Sequence, residues 1–272
     1  MHRKIVIVGE AWGPEEVAKG KPFQASDGKF LHALLRQVGI PLQECWLTSV
    51  FNFAPPTRDI TSLCVTKKSG VPLLPGYPDL ARGKYIPASL SHELKRLYRE
   101  IDNCQPNLVI ALGNTATWAL LQMNKITQIR GTTAQGYGGY KVLPTLHPKQ
   151  VLRGYKDKPI FQTDLMKAAR EAEFPEVRRP NREIWIEPSI NDLDIFFNKH
   201  IVPAPDKLLS IDIETVADRI TCVGVAPTAD VALVIPFMCK STTGNYWVKR
   251  SDELYAWSFI RRLCELPEYG SF

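Results

Sequence analysis

The sequence predicts an α/β fold, an α/β/α sandwich with a parallel central sheet, followed by a smaller, partial α+β unit. Three observations carry this. Strand-like apolar runs alternate with helix-like stripes over roughly the first 175 residues. The stretch "FPEVRRPNR" at 174–182 then breaks the rhythm. Beyond it three strand-like runs follow in close succession, and strands joined by short turns pair antiparallel by default.

Taken in order, strands are predicted at Lys4–Val8, Cys45–Val50, Asn107–Leu112 and Tyr140–Leu146. The spacing of Phe30, Leu31, Leu34, Leu35 and Val38 predicts a helix that Gly39 ends. Leu90, Leu94, Leu97, Tyr98 and Ile101 make a second helical stripe, and Thr115–Met123 a third, short one after Gly113. Strands separated by helices favour a parallel sheet covered on both faces. Residues 54–88 hold repeated Pro and Gly without a sustained period and read as a long surface excursion. The domains are then 1–175, a linker at 176–183, and 184–272. In the last, "EIWIEPSINDLDIFFNKHI" gives a strand and a helix, and "LLSIDIET", "RITCVGVA" and "VALVIPF" give three strands.

Composition narrows the class of protein. Hydrophobic content of 44% and charged content of 23% suit an ordinary globular chain. No apolar run has the length of a membrane helix, and the basic start leads straight into a strand, so neither a membrane partner nor a secretory signal is expected. The six cysteines are scattered without a C-x-x-C pair, which suits reduced thiols in a cytoplasm, bacterial or that of a phage-infected host. A net charge of +6 leans toward polyanions without deciding anything alone.

Ligands of parallel α/β sheets bind at the carboxyl ends of the strands. There the first strand runs into Gly9-Glu10-Ala11-Trp12-Gly13, and the second ends at Thr48-Ser49-Val50 before Asn52. The third ends in Gly113-Asn114, and the fourth in "LPTLHPKQVLR" with His147. An acid, a hydroxyl, an amide and a histidine converge on one edge.

These residues carry a resemblance. "GEAWGPEE" resembles the first motif of the uracil-DNA glycosylase superfamily, in particular the branch that usually holds an iron–sulfur cluster. "GKPFQASDGKFLHALL", "WLTSVFNFAPP", "PNLVIALGNTATWALL" and "GGYKVLPTLHPKQVLR" are similar to that branch's later elements, in the same order. The resemblance implies hydrolysis of the N-glycosidic bond of uracil in single- or double-stranded DNA, after the base has been flipped out of the helix. It implies that His147 donates to a carbonyl oxygen of the departing base. Glu10 would orient or activate water and favour the cationic sugar. Phe23 would stack on the base, backbone N–H groups around Ala11–Gly13 would add donors, and Glu16 would crowd the pyrimidine C5 position and reject thymine. Val151 and Leu152 would wedge into the gap, while Lys149, Arg153, Lys156 and Lys158 meet phosphates.

Departures from the family pattern bear on these roles. Trp12 stands where Pro is common, as a pocket wall, a DNA-stacking surface or core. Ser49 stands where the family has an Asn reading the uracil edge, and a hydroxyl lacks the paired donor and acceptor of an amide. Either base discrimination is weaker, or another group such as Asn52 or Asn114 supplies it. No iron–sulfur cluster is expected, because Cys45, Cys64 and Cys104 do not reproduce the spacing of four thiolate ligands.

In the second domain, "LLSIDIETVADRITCVGVA" sets Asp212 and Glu214 on one face of a strand. Such carboxylates repel unless solvated at an edge or joined by a cation, and Mg²⁺ or Mn²⁺ suits oxygen ligands. The stretch resembles the first motif of the 3′–5′ proofreading exonuclease of DNA polymerases, whose fold is ribonuclease-H-like. Further acids of a two-metal site are missing before Phe272, and Asp252 and Glu253 do not substitute. This part is expected to be incomplete and inactive, the front of a longer viral-type polymerase, with the chain a monomer or a portion of that polymerase. The alternative to a working glycosylase is a weak or inactive glycosylase-fold module that holds DNA for such a polymerase.

Overall fold

A computed structural model describes residues 3–57, 59–179, 181–204, 208–239 and 244–266. The chain divides into two compact units, Met1–Val177 and Arg178–Phe272. Pro180 of the expected linker and the last six residues lie outside the described residues.

Unit 1 opens with β1 (Ile5–Ala11), α1 (Pro14–Lys19), α2 (Ser26–Gln37) and β2 (Cys45–Phe51). After an irregular stretch come α3 (Ser91–Cys104), β3 (Leu108–Leu112), α4 (Gly113–Leu121), the single turn α5 (Ile126–Ile129) and β4 (Ala134–Gln135). It closes with β5 (Lys141–Thr145), α6 (Pro148–Arg153) and α7 (Lys158–Glu171). The sheet order is β2-β1-β3-β5-β4, parallel except for β4 at one edge.

β3 and the Ile5–Val8 part of β1 are wholly apolar because both faces are covered there. On one face Val6, Val8, Val109 and Ala111 pack with Leu94, Leu97 and Ile101 of α3 and with α4. On the other, Ile5, Ile7, Ile110 and Leu112 meet Leu31, Leu34 and Leu35 of α2 and Phe161 and Leu165 of α7. The alternation is the two-residue period of a strand.

Two sequence expectations need correction. The first strand does not stop at Val8. Ala11 still pairs with Phe51, so Glu10 stands on β1 itself. Residues 54–88 are also more than a surface excursion, since Ile60, Leu74, Leu80 and Ile86 are buried in the core against α3 and α4. They show no period because short 3₁₀ turns and isolated bridges, Val65 with Tyr85 and Leu73 with Pro87, insert them one at a time.

Lys141 is fully buried, and its ammonium donates to Glu171 and to the carbonyls of Phe174 and Glu176. A buried ammonium with three acceptors is stable where an unpartnered one would not be. The chain leaving α7 is thereby held to unit 1 as far as Glu176.

Unit 2 contains β6 (Glu183–Trp185), α8 (Ile190–Phe196), β7 (Ser210–Val216), β8 (Arg219–Thr228), β9 (Val231–Pro236) and α9 (Arg250–Cys264). Its sheet order is β6-β9-β8-β7, with β7, β8 and β9 antiparallel and β6 parallel to β9. Val223, Val225, Leu233 and Ile235 pack beneath Leu193, Phe196, Ala256 and Phe259 of the two helices. β7 is an edge strand exposed along its whole length. Among the described residues no helix is long and apolar enough to cross a membrane.

Candidate active site

A cavity of about 390 Å³ opens at the carboxyl ends of β1 and β2 and beside the turn that follows β5. The strand order reverses here, since β2 lies on one side of β1 and β3 on the other. Its walls include Gly9, Glu10, Ala11, Trp12, Gly13, Glu16, Phe23, Asp27, Ser49, Pro55, His147, Lys149, Leu152 and Arg153.

Glu10 and His147, 137 positions apart in the chain, line the same cavity. Both are set by the start of α4. Thr115 donates its hydroxyl to Glu10 Oε2 at 2.5 Å. Gly113 has φ 82°, and a Cβ built there would lie 3.0 Å from His147 Cβ. Its missing side chain is the room in which the histidine stands. The Lys149 N–H donates to His147 Nδ1 at 3.2 Å, which places the ring proton on Nε2. Withdrawal from water lowers the pKa of His147 below the ordinary imidazole value, more than Glu10 and Asp27 raise it, and Lys149 adds to the lowering. The imidazole is therefore a neutral donor at physiological pH.

Phe23 is buried and has φ 55°, a strained conformation for a residue with a side chain. Its ring lies against Gly9, where a Cβ would come within 2.8 Å of Phe23 Cζ. Its backbone is crowded by Gly28, where a Cβ would come within 2.1 Å of the Phe23 carbonyl oxygen. Glu16 holds this loop to the first one. Its carboxylate accepts from the N–H of Gly13 at 3.0 Å, Gln24 at 2.7 Å and Ala25 at 2.9 Å. Burial opposes ionisation of Glu16, but these amides outweigh it and lower its pKa. The stability it contributes is thus complete above the unfolded carboxylate value and is lost as pH falls through the lower folded one. Glu16→Gln is expected to cost about 1–3 kcal/mol, seen as a lower Tm at neutral pH that converges with the wild type in acid.

Glu16 thus lies in the cavity wall with its oxygens turned to backbone amides. The expected backbone donors are likewise engaged, Trp12 N–H with the Phe51 carbonyl at 3.2 Å and Gly13 N–H with Glu16. Trp12 lines the cavity while its indole nitrogen is buried, so it presents ring surface as a wall. Ser49 is buried at the cavity edge, and its hydroxyl lies beside Gly9. Arg96 of α3 fixes that strand end by donating to the carbonyls of Ser49 and Val50 at 2.8 and 2.9 Å.

Asn52 and Asn114 do not line the cavity. The Asn52 N–H donates to Glu93, and the Asn114 amide donates to the Leu80 carbonyl at 3.0 Å. The expected wedge is also half corrected. Val151 is fully buried in the core under α6, whereas Leu152 is 40% exposed and lines the cavity. A helix turns residues three apart to one side, so Pro148 and Val151 face inward while Lys149, Leu152 and Arg153 face the cavity. Lys156 is exposed beyond α6 and takes no part in the wall.

The thiols do not fit the iron–sulfur cluster of the branch resembled. Cys45 packs on one face of the sheet, and Cys64 and Cys104 on the other. Burial pushes the Cys45 thiol up to about 12 and Cys64 up to about 11, the reverse of what thiolate ligands need. In unit 2, Asp212 and Glu214 share one face of β7, opposite Gly224 and Cys222. Among the described residues no group of three His, Cys, Asp or Glu is placed to hold a metal.

Thr115, Asp27 and Pro55 escape the sequence reading. Asp27 is the readable one, an acid at the start of α2 directly after the Phe23 loop.

Fold and cavity together define a three-layer α/β protein with a ligand site at the strand-order switch, walled by a carboxylate, an imidazole and an aromatic ring. The model of the family described as "Uracil DNA glycosylase superfamily" matches residues 1–172, and the chain belongs to that superfamily. It is similar to a type-4 uracil-DNA glycosylase of Thermotoga maritima, 30% identical over 169 residues, covering 61% of this chain and 76% of the relative. A type-4 uracil-DNA glycosylase of Archaeoglobus fulgidus is 27% identical over 173 residues, covering 60% and 74%. A DNA polymerase of Bacillus phage SP01 is 26% identical over 163 residues, which cover 60% of this chain and 15% of the polymerase.

Proposed function

We propose that unit 1 hydrolyses the N-glycosidic bond of uracil in DNA, with Glu10 and His147 as its catalytic residues. The observation that carries this is the meeting of the two side chains around one cavity that Phe23 also lines. As the bond breaks, its electron pair leaves with the base, positive charge grows on the sugar and negative charge on a base carbonyl oxygen. His147, proton on Nε2, donates to that oxygen without having to be cationic. Glu10, held by Thr115, favours the cationic sugar and orients the water whose oxygen bonds to C1′. The released water proton passes to solvent or to the uracil anion. Phe23 supplies the stacking face, Leu152 fills the place of the extruded base, and Lys149 and Arg153 meet phosphates. With Glu16 turned to backbone amides, it enters as the clamp that shapes the pocket.

The test is release of free uracil from a uracil-containing single-stranded oligonucleotide. Turnover by the intact chain supports the reading, and salt-sensitive DNA binding without base release favours a non-catalytic DNA-holding module instead. Because His147 is neutral, the rate is expected to stay level as pH passes through the ordinary imidazole value of about 6.5. It falls only further into acid, where the lowered folded pKa is crossed.

For unit 2 we propose the front of a proofreading exonuclease domain in a phage-type DNA polymerase. The similarity of unit 1 to a stretch of a phage polymerase supports this, as do the three-stranded antiparallel start and the paired acids of β7. Two carboxylates alone do not make a two-metal site, so a 3′-labelled strand with Mg²⁺ or Mn²⁺ is expected to stay uncut by this polypeptide.

A further inference from the structure

The segment between β2 and α3 is basic, with Arg58, Lys67, Lys68, Arg82 and Lys84 against Asp59 and Asp79. Part of it is a tight hairpin. Arg82 and Gly83 both take positive φ, 42° and 77°, the Lys84 N–H donates to the Ala81 carbonyl at 2.9 Å, and the Leu80 N–H to the Lys84 carbonyl at 2.8 Å. Asp79 closes the turn by accepting from the Gly83 N–H at 2.8 Å. Two successive positive φ values are the signature of a two-residue hairpin turn, which here leaves Arg82 and Lys84 exposed.

The mooring of this hairpin is informative. Asn114 donates to the Leu80 carbonyl at 3.0 Å, and its chain neighbours are Gly113, which makes room for His147, and Thr115, which holds Glu10. Three consecutive residues therefore tie the histidine, the hairpin and the acid to one helix start. At the other end of the segment Pro55 lines the cavity. β2 and β5 flank β1 and β3 in the sheet, so the chain leaving β2 at Pro55 and the chain leaving β5 into α6 reach the cavity edge from opposite sides. The hairpin also lies within electrostatic reach of the same acid as α6, since the Asp59 carboxyl, held low first by the Thr61 N–H and hydroxyl, feels both Lys84 and Lys149.

We infer that Arg82 and Lys84 form a second phosphate-contacting arm, which grips the DNA strand on the side of the everted nucleotide away from Lys149 and Arg153. The inference rests on the glycosylase reading for its ligand, the DNA backbone. A hairpin tied to the same helix start as the catalytic pair sets the distance between gripped phosphates and reacting sugar. Loops that bind are expected where a rigid scaffold holds them, and this one is anchored through the core.

The probe is a labelled single-stranded oligonucleotide with a central abasic analogue, titrated with the intact chain over a range of salt concentrations. Arg82→Gly removes the charge and suits the positive φ of the turn, and Lys84→Gln removes the second. Each is expected to reduce the slope of log affinity against log salt by about 0.7. The double variant is expected to bind several-fold more weakly in moderate salt, with KM for uracil release rising in step, and Lys84→Arg is expected to keep the wild-type slope. Matching thermal melts show that the variants fold. A double variant with wild-type affinity and slope, beside an active wild type, overturns this inference and leaves the glycosylase reading standing. Reduced slopes in a chain that releases no uracil support the arm and overturn the glycosylase reading. A wild type that binds no DNA overturns both.

Discussion

His147→Ala is expected to lower the rate of uracil release by about 10²–10³, or about 2.7–4 kcal/mol of transition-state stabilisation. The size follows from where the imidazole acts. In the proposed role the charge it meets exists only as the base departs, so its hydrogen bond would strengthen along the reaction coordinate and the loss would fall on kcat more than on KM. The neighbouring amides of Trp12 and Gly13 do not replace it, because they are engaged with Phe51 and Glu16. Single-turnover release of uracil checks this, with thermal melting to show that the variant is folded. Alanine at 147 also frees the Lys149 N–H at the start of α6, and the side-chain cap lost there costs about 1 kcal/mol.

Gly28→Ala is expected to abolish release by a different route. A methyl group at 28 would lie 2.1 Å from the Phe23 carbonyl oxygen and 2.7 Å from its Cα. The obstacle is backbone, so no side chain can swing aside, and the Phe23 loop must move as a whole. That loop already holds Phe23 at φ 55° and is fastened to Glu16 through Gln24 and Ala25. Overpacking of this kind costs about 3 kcal/mol, which for a unit of this size lowers Tm by about 6–12 °C. The stacking face proposed for Phe23 would be lost with it. A variant that melts like the wild type and releases uracil at its rate would refute this picture of the loop.

The parts of the molecule legible in the sequence are those governed by short-range rules. The alternating core of β1, the stripe of α2 ended by Gly39, and the grouping of Glu10, Ser49 and His147 at strand ends all follow from periodicity and from where α/β sheets bind ligands. What escaped depends on long-range contacts or on the phase of a very short helix. Thr115 reads as an ordinary helical residue until β1 is laid beside α4. Val151 and Leu152 are alike by composition, and only the turn starting at Pro148 sends one into the core and the other to the cavity. Ile60, Leu74, Leu80 and Ile86 follow no period, because each is set by a separate turn or bridge. Asn114 offers the amide that base reading would want, yet the hairpin at Leu80 engages it.

The most direct measurement is single-turnover release of free uracil from a single-stranded oligonucleotide by the intact chain, beside Glu10→Gln, His147→Ala and the two together. Two groups serving one everted nucleotide should each slow release by about 100-fold or more, and the double variant should fall well short of the product of the two losses. An inert wild type, or either single variant releasing uracil at the wild-type rate, would contradict it.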